Sequence, residues 1–377
     1  MHSMGERYSD LVDYSTLDPI KRKALEVFAP TLSNPSRIRV AVTGMGDTAA
    51  VLNFLDYDFM LAFNVEDLGT KNLVADAMYH ELRSKAELAK ELDETRYYSN
   101  LGRDAVAMAV TDLAAVGADP IAYADILASG DSAWFKDEKR VESLLAGYRI
   151  AADLAGCAIP QGETPTLQGI VDPLALNLSG GAVGIIRPKS RYTYGQNLTP
   201  GDVIYGLPSH GICANGITKA RRIAERLPDG YFTRLDDGRT LGEAILEPTP
   251  ILSRLVVQLF EEGVDLHYIS PLTGHGWRKI SRARFPFRYV IEAVPEPPLV
   301  FQSLIEWGKE YGFDVSDGEN FQVWNMGIFL ALMAPRECGD AIASVAEKFG
   351  THVHVLGRVE KGGKEVIIEP KKVIYGG

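Results

Sequence analysis

The residue types best suited to chemistry fall early in the chain. Residues 62–71 read Ala-Phe-Asn-Val-Glu-Asp-Leu-Gly-Thr-Lys, so an apolar run ends in two carboxylates, a glycine, a threonine and a lysine. A strand that delivers charged groups to a site at its tip has this pattern. The paired acids Glu66 and Asp67 suit a hard cation such as Mg²⁺. Lys71, with the backbone around Gly69 and Thr70, suits phosphate. A second stretch, Leu101 to Val116, reads as an Ala/Val/Met-rich helix carrying Asp104 and Asp112. Eight residues on a helix separate the two acids by about 80° around the axis, so they share one side. An acid among apolar neighbours needs a partner, and Val110, Leu113, Ala114 and Val116 surround Asp112. The plainer alternatives are a solvated turn for Glu66-Asp67 and helix-dipole dressing for Asp104.

Other segments must hold these groups in place. Asp18-Pro19 predicts a helix to about Phe28, with Asp18 as its cap. Ile38–Val42 reads as a strand, followed by a turn containing Gly46 and Asp47. That turn either brings backbone N–H groups to a phosphate or is a simple hairpin leading into Val51–Phe54. A helical region is predicted from Val74 to Leu92, a strand at Ile121–Ala128, a helix at Glu138–Ala155 ending at Gly156, and a strand at Leu174–Ile186. Pro188-Lys189-Ser190-Arg191 is a basic, proline-bearing break, giving domains 1–188 and 189–377. In the second half, two glycine-rich loops precede helices, Pro208–Gly216 and Ser270–Gly276. A helix start after such a loop is a ready anion site. Strands at Val203–Leu207, Trp324–Met333 and His352–Gly357 alternate with helices at Ile217–Leu227, Pro298–Gly312 and Glu337–Phe349. The mixture predicts an α+β fold (α/β-type mixed sheets) in two domains.

Composition narrows the function classes. The 377 residues suffice for two cores, and 46% hydrophobic with 24% charged residues is ordinary for a globular enzyme. A net charge of −11 argues against a nucleic-acid partner. The three cysteines, Cys157, Cys213 and Cys338, show no metal-ligand spacing and suggest reduced thiols. With no apolar signal core or span-length run, the expectation is a cytoplasmic protein with no membrane partner.

Several motifs, in order, resemble the aminoimidazole ribonucleotide (AIR) synthetase family. They are Glu-Asp-Leu-Gly-Thr-Lys (66–71), Asp-Ala-Val-Ala-Met-Ala-Val-Thr-Asp-Leu (104–113), Gly-Ala-Asp-Pro (117–120), Gly-Cys-Ala-Ile-Pro-Gln-Gly-Glu-Thr (156–164), Asn-Gly (215–216), Glu-Pro-Thr (247–249), Leu-Thr-Gly-His-Gly (272–276) and Asn-Met-Gly (325–327). The likeness runs from Tyr8 to about Val359. It implies ATP and Mg²⁺ as cofactors, a homodimer through the N-terminal domain, and a small-molecule substrate. In the family's purine-biosynthesis ligase, a formyl amide oxygen becomes an iminophosphate, a nitrogen attacks and phosphate leaves. By motif, Glu66, Asp67 and Asp112 would be metal groups, while Gly46, Asp47, Gly69, Thr70 and Asp104 would join the nucleotide site. Lys71 would meet phosphate, Glu163 would sit in the same cleft, and Asn215, Thr273 and Gly274 would face substrate. Residues 46–52 also resemble the glycine-aspartate loop of the thiamine-phosphate kinase branch.

The departures lie mostly on the substrate side. Glu66-Asp67 stands for Asp-Gly, Tyr98 and Cys213 for histidines, Thr166 for a glutamate, His275 for a glycine and Pro250 for a basic residue. They leave open a paralogue acting on another substrate, or a non-catalytic nucleotide-binding relative. His275 is either a loop residue or an acid–base group, since histidine titrates near neutrality. His210 divides in the same way. Cys213 as a nucleophile has nothing nearby to lower its pKa. Trp324 reads as a packing anchor, and His352 with His354 as a solvated strand face.

Overall fold

The computed structural model describes residues 5–35, 39–43, 47–84 and 96–376. Gly46, and the end of the helical region expected to reach Leu92, lie outside the described residues. Two sheets organise the chain. The first has six strands: β1 (Val40–Thr43), β2 (Ala50–Phe54), β3 (Met60–Asp67), β4 (Asp119–Ser129), β5 (Ala158–Glu163) and β6 (Leu176–Ile186), in the order β1-β2-β3-β6-β4-β5. The second has seven: β7 (Val203–Pro208), β8 (Tyr268–Pro271), β9 (Phe287–Ile291), β10 (Ile328–Ala334), β11 (His354–Lys361), β12 (Glu365–Ile368) and β13 (Val373–Gly376), in the order β13-β12-β9-β11-β7-β10-β8. Both are mixed, since β4 with β5 and β9 with β12 run parallel while the other pairs are antiparallel. The helices are α1 (Tyr8–Leu11), α2 (Tyr14–Phe28), α3 (Lys71–Ser84), α4 (Arg96–Ala115), α5 (Glu138–Ala155), α6 (Ile217–Ala224), α7 (Leu241–Ile245), α8 (Ser253–Glu261), α9 (Leu299–Glu310), α10 (Asp317–Val323) and α11 (Gly339–Lys348). The fold is α+β. No helix among the described residues is long and apolar enough to cross a membrane.

Helix α4 is the axis of the first half. Small residues at Gly102, Ala105, Ala107 and Ala109 let it approach its neighbours closely. A Cβ on Gly102 would lie 2.4 Å from the Leu144 carbonyl of α5, so only glycine fits there. The helix covers one face of the sheet, where Asn64 on β3 donates to the Ala109 carbonyl at 3.1 Å. Strand alternation then divides β3. Asn64 and Glu66 point toward α4, while Phe63, Val65 and Asp67 point to the other face. Among the described residues nothing covers that outer face: Phe63, Val65 and Ile126 are 44%, 82% and 41% exposed.

Two expectations shift at the N-terminus. Helix α2 begins at Tyr14, capped by Asp13, which accepts from the Thr16 N–H at 3.2 Å. Asp18 therefore sits inside the helix with Pro19 as its sixth residue, because Asp13 offers an earlier cap; the proline there leaves out one intrahelical donor. The arm is pinned to the second half: Glu6 exchanges backbone bonds of 2.9 Å with Gly312 and Asp314. The Tyr8 N–H donates to Glu319 at 2.6 Å. Helix α2 itself buries no residue.

Candidate functional site

One cavity of about 280 Å³ gathers residues from three parts of the chain. The first half supplies Glu66, Met108 and Asp112, the N-terminal arm supplies Tyr14 and Lys21, and the second half supplies Asn215, Thr273, Gly274, His275, Lys279 and Arg282. Of the sequence-stated candidates, the structure therefore brings together Glu66, Asp112, Asn215, Thr273, Gly274 and His275.

Glu66 ends the inward-facing row of β3, and Asp112 lies one turn before the end of α4. Their carboxyl groups are within hydrogen-bond reach of each other. Burial, then the neighbouring Asp112, pushes the Glu66 carboxyl up to about 8. Burial likewise raises Asp112, against the pull of Lys279 and Arg282. Two carboxyls facing one cavity, Asp112 buried and Glu66 half-buried, hold a proton between them unless a cation replaces it. Among the described residues, no three His, Cys, Asp or Glu side chains gather into a metal cage. Two carboxylates opening on a cavity do fit Mg²⁺, which is commonly held by one or two protein carboxylates plus phosphate oxygens and water.

The opposite wall is basic. Lys279 and Arg282 come from a 3₁₀ segment, Gly276–Arg282. A 3₁₀ helix repeats every three residues, so Gly276, Lys279 and Arg282 share one side, while Trp277 and Ile280, both fully buried, anchor another. The Trp277 indole donates to the Asn325 carbonyl at 2.9 Å. His275 opens the segment in the left-handed region at φ 69°, and its ring lies 4.3 Å from that of Tyr14. Burial, reinforced by Arg282, Lys279 and Lys21, lowers its pKa to about 4. His275 is thus a neutral imidazole at physiological pH, rather than a group that titrates near 7.

Other expected residues lie elsewhere. Lys71 is fully buried, 2.6 Å from Asp104, and donates to the Glu247 carbonyl at 2.8 Å. The other oxygen of Asp104 accepts from the Thr249 N–H at 2.6 Å. Lys71 and Asp104 thus form a closed node that clasps the Glu-Pro-Thr segment of the second half. An ammonium so enclosed meets no ligand in this arrangement. Asp67 points to the outer face, where Asn177, Ser179 and the Gly69 N–H all donate to it at 2.7–2.8 Å. It is not beside Glu66 in the cavity, because adjacent strand residues face opposite ways. Thr70 immediately precedes α3, and Gly69 takes φ 68° in the turn between. Asp47 pairs with Arg284 at 2.6 Å and with Tyr192 at 3.2 Å, lining a separate cavity of about 60 Å³.

Glu163 is exposed on the outer face of β5, outside the cleft formed by this single chain. Register aligns Asp67, Ser179, Ile126 and Glu163 in one row across four strands. Cys213 is buried, its Sγ 3.6 Å from the Gly211 carbonyl, and burial pushes the thiol up to about 12, which removes it as a nucleophile. Tyr98 donates to Asp76 at 2.6 Å inside the core. Trp324 is buried and donates to the Gly216 carbonyl at 3.1 Å.

Lys279, Arg282, Tyr14 and Lys21 went unnoticed in the sequence. Two interleaved sets three residues apart, Trp277/Ile280 and Lys279/Arg282, were the available signal for the first two.

With this geometry in view, comparison with known proteins places the chain. The family model for AIR synthase related protein, N-terminal domain, matches residues 46–186, and that for the C-terminal domain matches 199–369. The chain belongs to the AIR synthase related family. A phosphoribosylformylglycinamidine cyclo-ligase of Methanothermobacter thermautotrophicus is 30% identical over 348 residues, covering 90% of each chain. Among solved structures, thiamine-monophosphate kinase from Stenotrophomonas maltophilia aligns at TM-score 0.56 and 18% identity, over 92% of this chain and 95% of that one. The hydrogenase maturation protein HypE in complex with ATP aligns at TM-score 0.51 and 21% identity, over 73% and 78%. At these identities the two structures speak to the fold alone.

Proposed function

We propose that this chain is an ATP- and Mg²⁺-dependent enzyme that activates an amide-type oxygen of a small molecule by phosphoryl transfer. The leading reaction is the ligase step that converts formylglycinamidine ribonucleotide to aminoimidazole ribonucleotide, as the names of its relatives suggest. The observation that carries the reading is the pairing, across one cavity, of the Glu66–Asp112 carboxyls with a basic wall and the Asn215 and Thr273-Gly274 loops. Phosphoryl transfer depends mainly on positioning and charge neutralisation, and this cavity offers both signs of charge. Glu66 and Asp112 would hold Mg²⁺, which supplies charge neutralisation on a bound polyphosphate. Asn215, which lines the cavity beside Gly274, would orient a substrate hydroxyl or amide.

The outer face of the N-terminal sheet supports a dimer. An apolar sheet face left uncovered marks an interaction surface, and pairing with a second copy would enclose Val65 and bring a partner toward Asp67 and Glu163. Sedimentation of the purified chain tests this, with a dimer expected and a monomer at micromolar concentration counting against it.

A paralogous substrate is the second reading. It is favoured by His275, a neutral imidazole under Tyr14 where the family has glycine. The deciding experiment incubates the chain with formylglycinamidine ribonucleotide and Mg²⁺-ATP, followed by mass spectrometry. ADP with the cyclised ribonucleotide supports the first reading. Bound ATP with an untouched ribonucleotide supports the second, and nucleotide binding without turnover on any substrate tested points to a non-catalytic relative.

A further inference from the structure

The buried ammonium of Lys279 is held differently from that of Lys71. Its segment is fixed from behind by Trp277 and Ile280, both fully buried. This directs Lys279 and Arg282, three residues on, into the cavity. Among the described residues, Lys279 has one hydrogen-bond partner, the Thr273 hydroxyl, and no carboxylate within ion-pair distance. An ammonium carries three donors. Two are therefore left for whatever enters the cavity, on a residue that is only 9% exposed. Burying a cation without a paired carboxylate is costly, and a fold retains such a group most readily where a ligand completes it. Asp112 and Glu66 lie opposite, near enough to act on Lys279 but not in contact with it. A second cavity of about 210 Å³ adjoins the first and shares His275, Lys279 and Arg282 with it. The space between the two walls suits an anionic group that a cation can bridge to the acids on one side and that accepts hydrogen bonds from Lys279 on the other.

We propose that Lys279, supported by Arg282, is the cation that binds the terminal phosphoryl group of ATP, the role the sequence motif suggests for Lys71. The inference rests on the ATP-dependent reading above. In the transfer, the bond from the terminal phosphorus to the bridging oxygen breaks with its electron pair going to ADP. A new bond forms from that phosphorus to the amide oxygen of the acceptor. Lys279 keeps its proton throughout and forms no covalent bond; it neutralises oxygens whose charge shifts as the group moves. Lys71 contributes by holding the two halves of the chain in register.

Equilibrium binding of ATP and of ADP, each with Mg²⁺, to the full-length chain and its Lys279→Met, Lys279→Arg and Lys71→Met variants tests the assignment. Lys279→Met is expected to lose at least tenfold in ATP affinity while ADP affinity changes less than threefold. Lys279→Arg is expected to keep most of the preference for ATP. Without nucleotide, Lys279→Met is expected to melt at or above the temperature of the unchanged chain, because an unpaired buried charge has been removed. Should it not fold, Lys279→Gln reads the same ATP-to-ADP ratio. Equal losses for both nucleotides, or an unchanged ATP affinity, overturn the assignment while leaving the ATP reading in place. Failure of the unchanged chain to bind either nucleotide overturns both.

Discussion

Helix α4 carries two aspartates eight residues apart, and each stands near a buried lysine, yet the two neighbourhoods are built for different ends. At Asp104 every strong partner is present: Lys71 at 2.6 Å, the Thr249 N–H at 2.6 Å, and the Glu247 carbonyl accepting from Lys71 at 2.8 Å. At Asp112 the carboxyl meets a second carboxyl, and the lysine across the cavity has only a hydroxyl. The first arrangement is satisfied by the protein alone. The second leaves charge of both signs facing open space, which is where a ligand does the completing. Residue type does not separate a structural ion pair from a working site, whereas the presence of an opposite charge in direct contact does.

The largest effect expected from this contrast is on stability at the closed node. Lys71→Met strands the Asp104 charge in the core and should cost about 3–5 kcal/mol, seen as a lower midpoint in urea. A loss below about 1 kcal/mol would break the comparison. Asp112→Asn should do the converse. It is expected to weaken Mg²⁺-ATP binding by about a hundredfold, equivalent to about 2.7 kcal/mol, with cooperative unfolding kept. Unchanged nucleotide affinity would remove Asp112 from the site.

The open pair also predicts a pH signature. The Glu66 carboxyl titrates at about 8 when folded, against an ordinary 4.5. Folding therefore favours its protonated form. The contribution is fully present below about pH 4.5 and is lost as pH rises toward 8. Thermal melts of the metal-free chain should show this decline, Glu66→Gln should flatten it, and saturating Mg²⁺ should offset it. A slope identical in Glu66→Gln would mean that other groups carry it. The smallest effect is expected at Cys213. Its raised thiol should resist iodoacetamide at pH 7.5 while Cys157 and Cys338, both partly exposed, react. Peptide mapping that finds Cys213 labelled first would contradict its burial.

Much of the scaffold was legible. Helix α5 spans the expected Glu138–Ala155, with Gly156 at φ 74° ending it, because a left-handed glycine is a strong local stop. The acid-bearing strand and helix were legible for a similar reason: their apolar periodicity is long and regular. The role of Lys71 was not, since its partners come from Asp104 and Glu247, far along the chain, and nothing local reveals that they close around it. Asp67 shows a different obstacle. Adjacent acids look like one site in a sequence but face opposite sides of a sheet. A short helix after the Ser270–Gly276 loop was legible, and the 3₁₀ segment Gly276–Arg282 stands there; its two cavity-facing cations were not, because a period of three fits neither the helical nor the strand template.

The clasp between Lys71, Asp104 and the Glu247–Thr249 segment bears on motion. Rotating the two halves of the chain apart would break the Lys71–Glu247 and Asp104–Thr249 hydrogen bonds together and open a buried ion pair to water, so rigid-body opening carries a high barrier. Among the described elements that line the cavity, access then falls to the helix that buries no residue. Helix α2, tethered at Tyr8 and resting Tyr14 on His275, can lift without disturbing either core. In hydrogen exchange, its amides should be among the first to exchange and should gain protection when ligand fills the space beneath them.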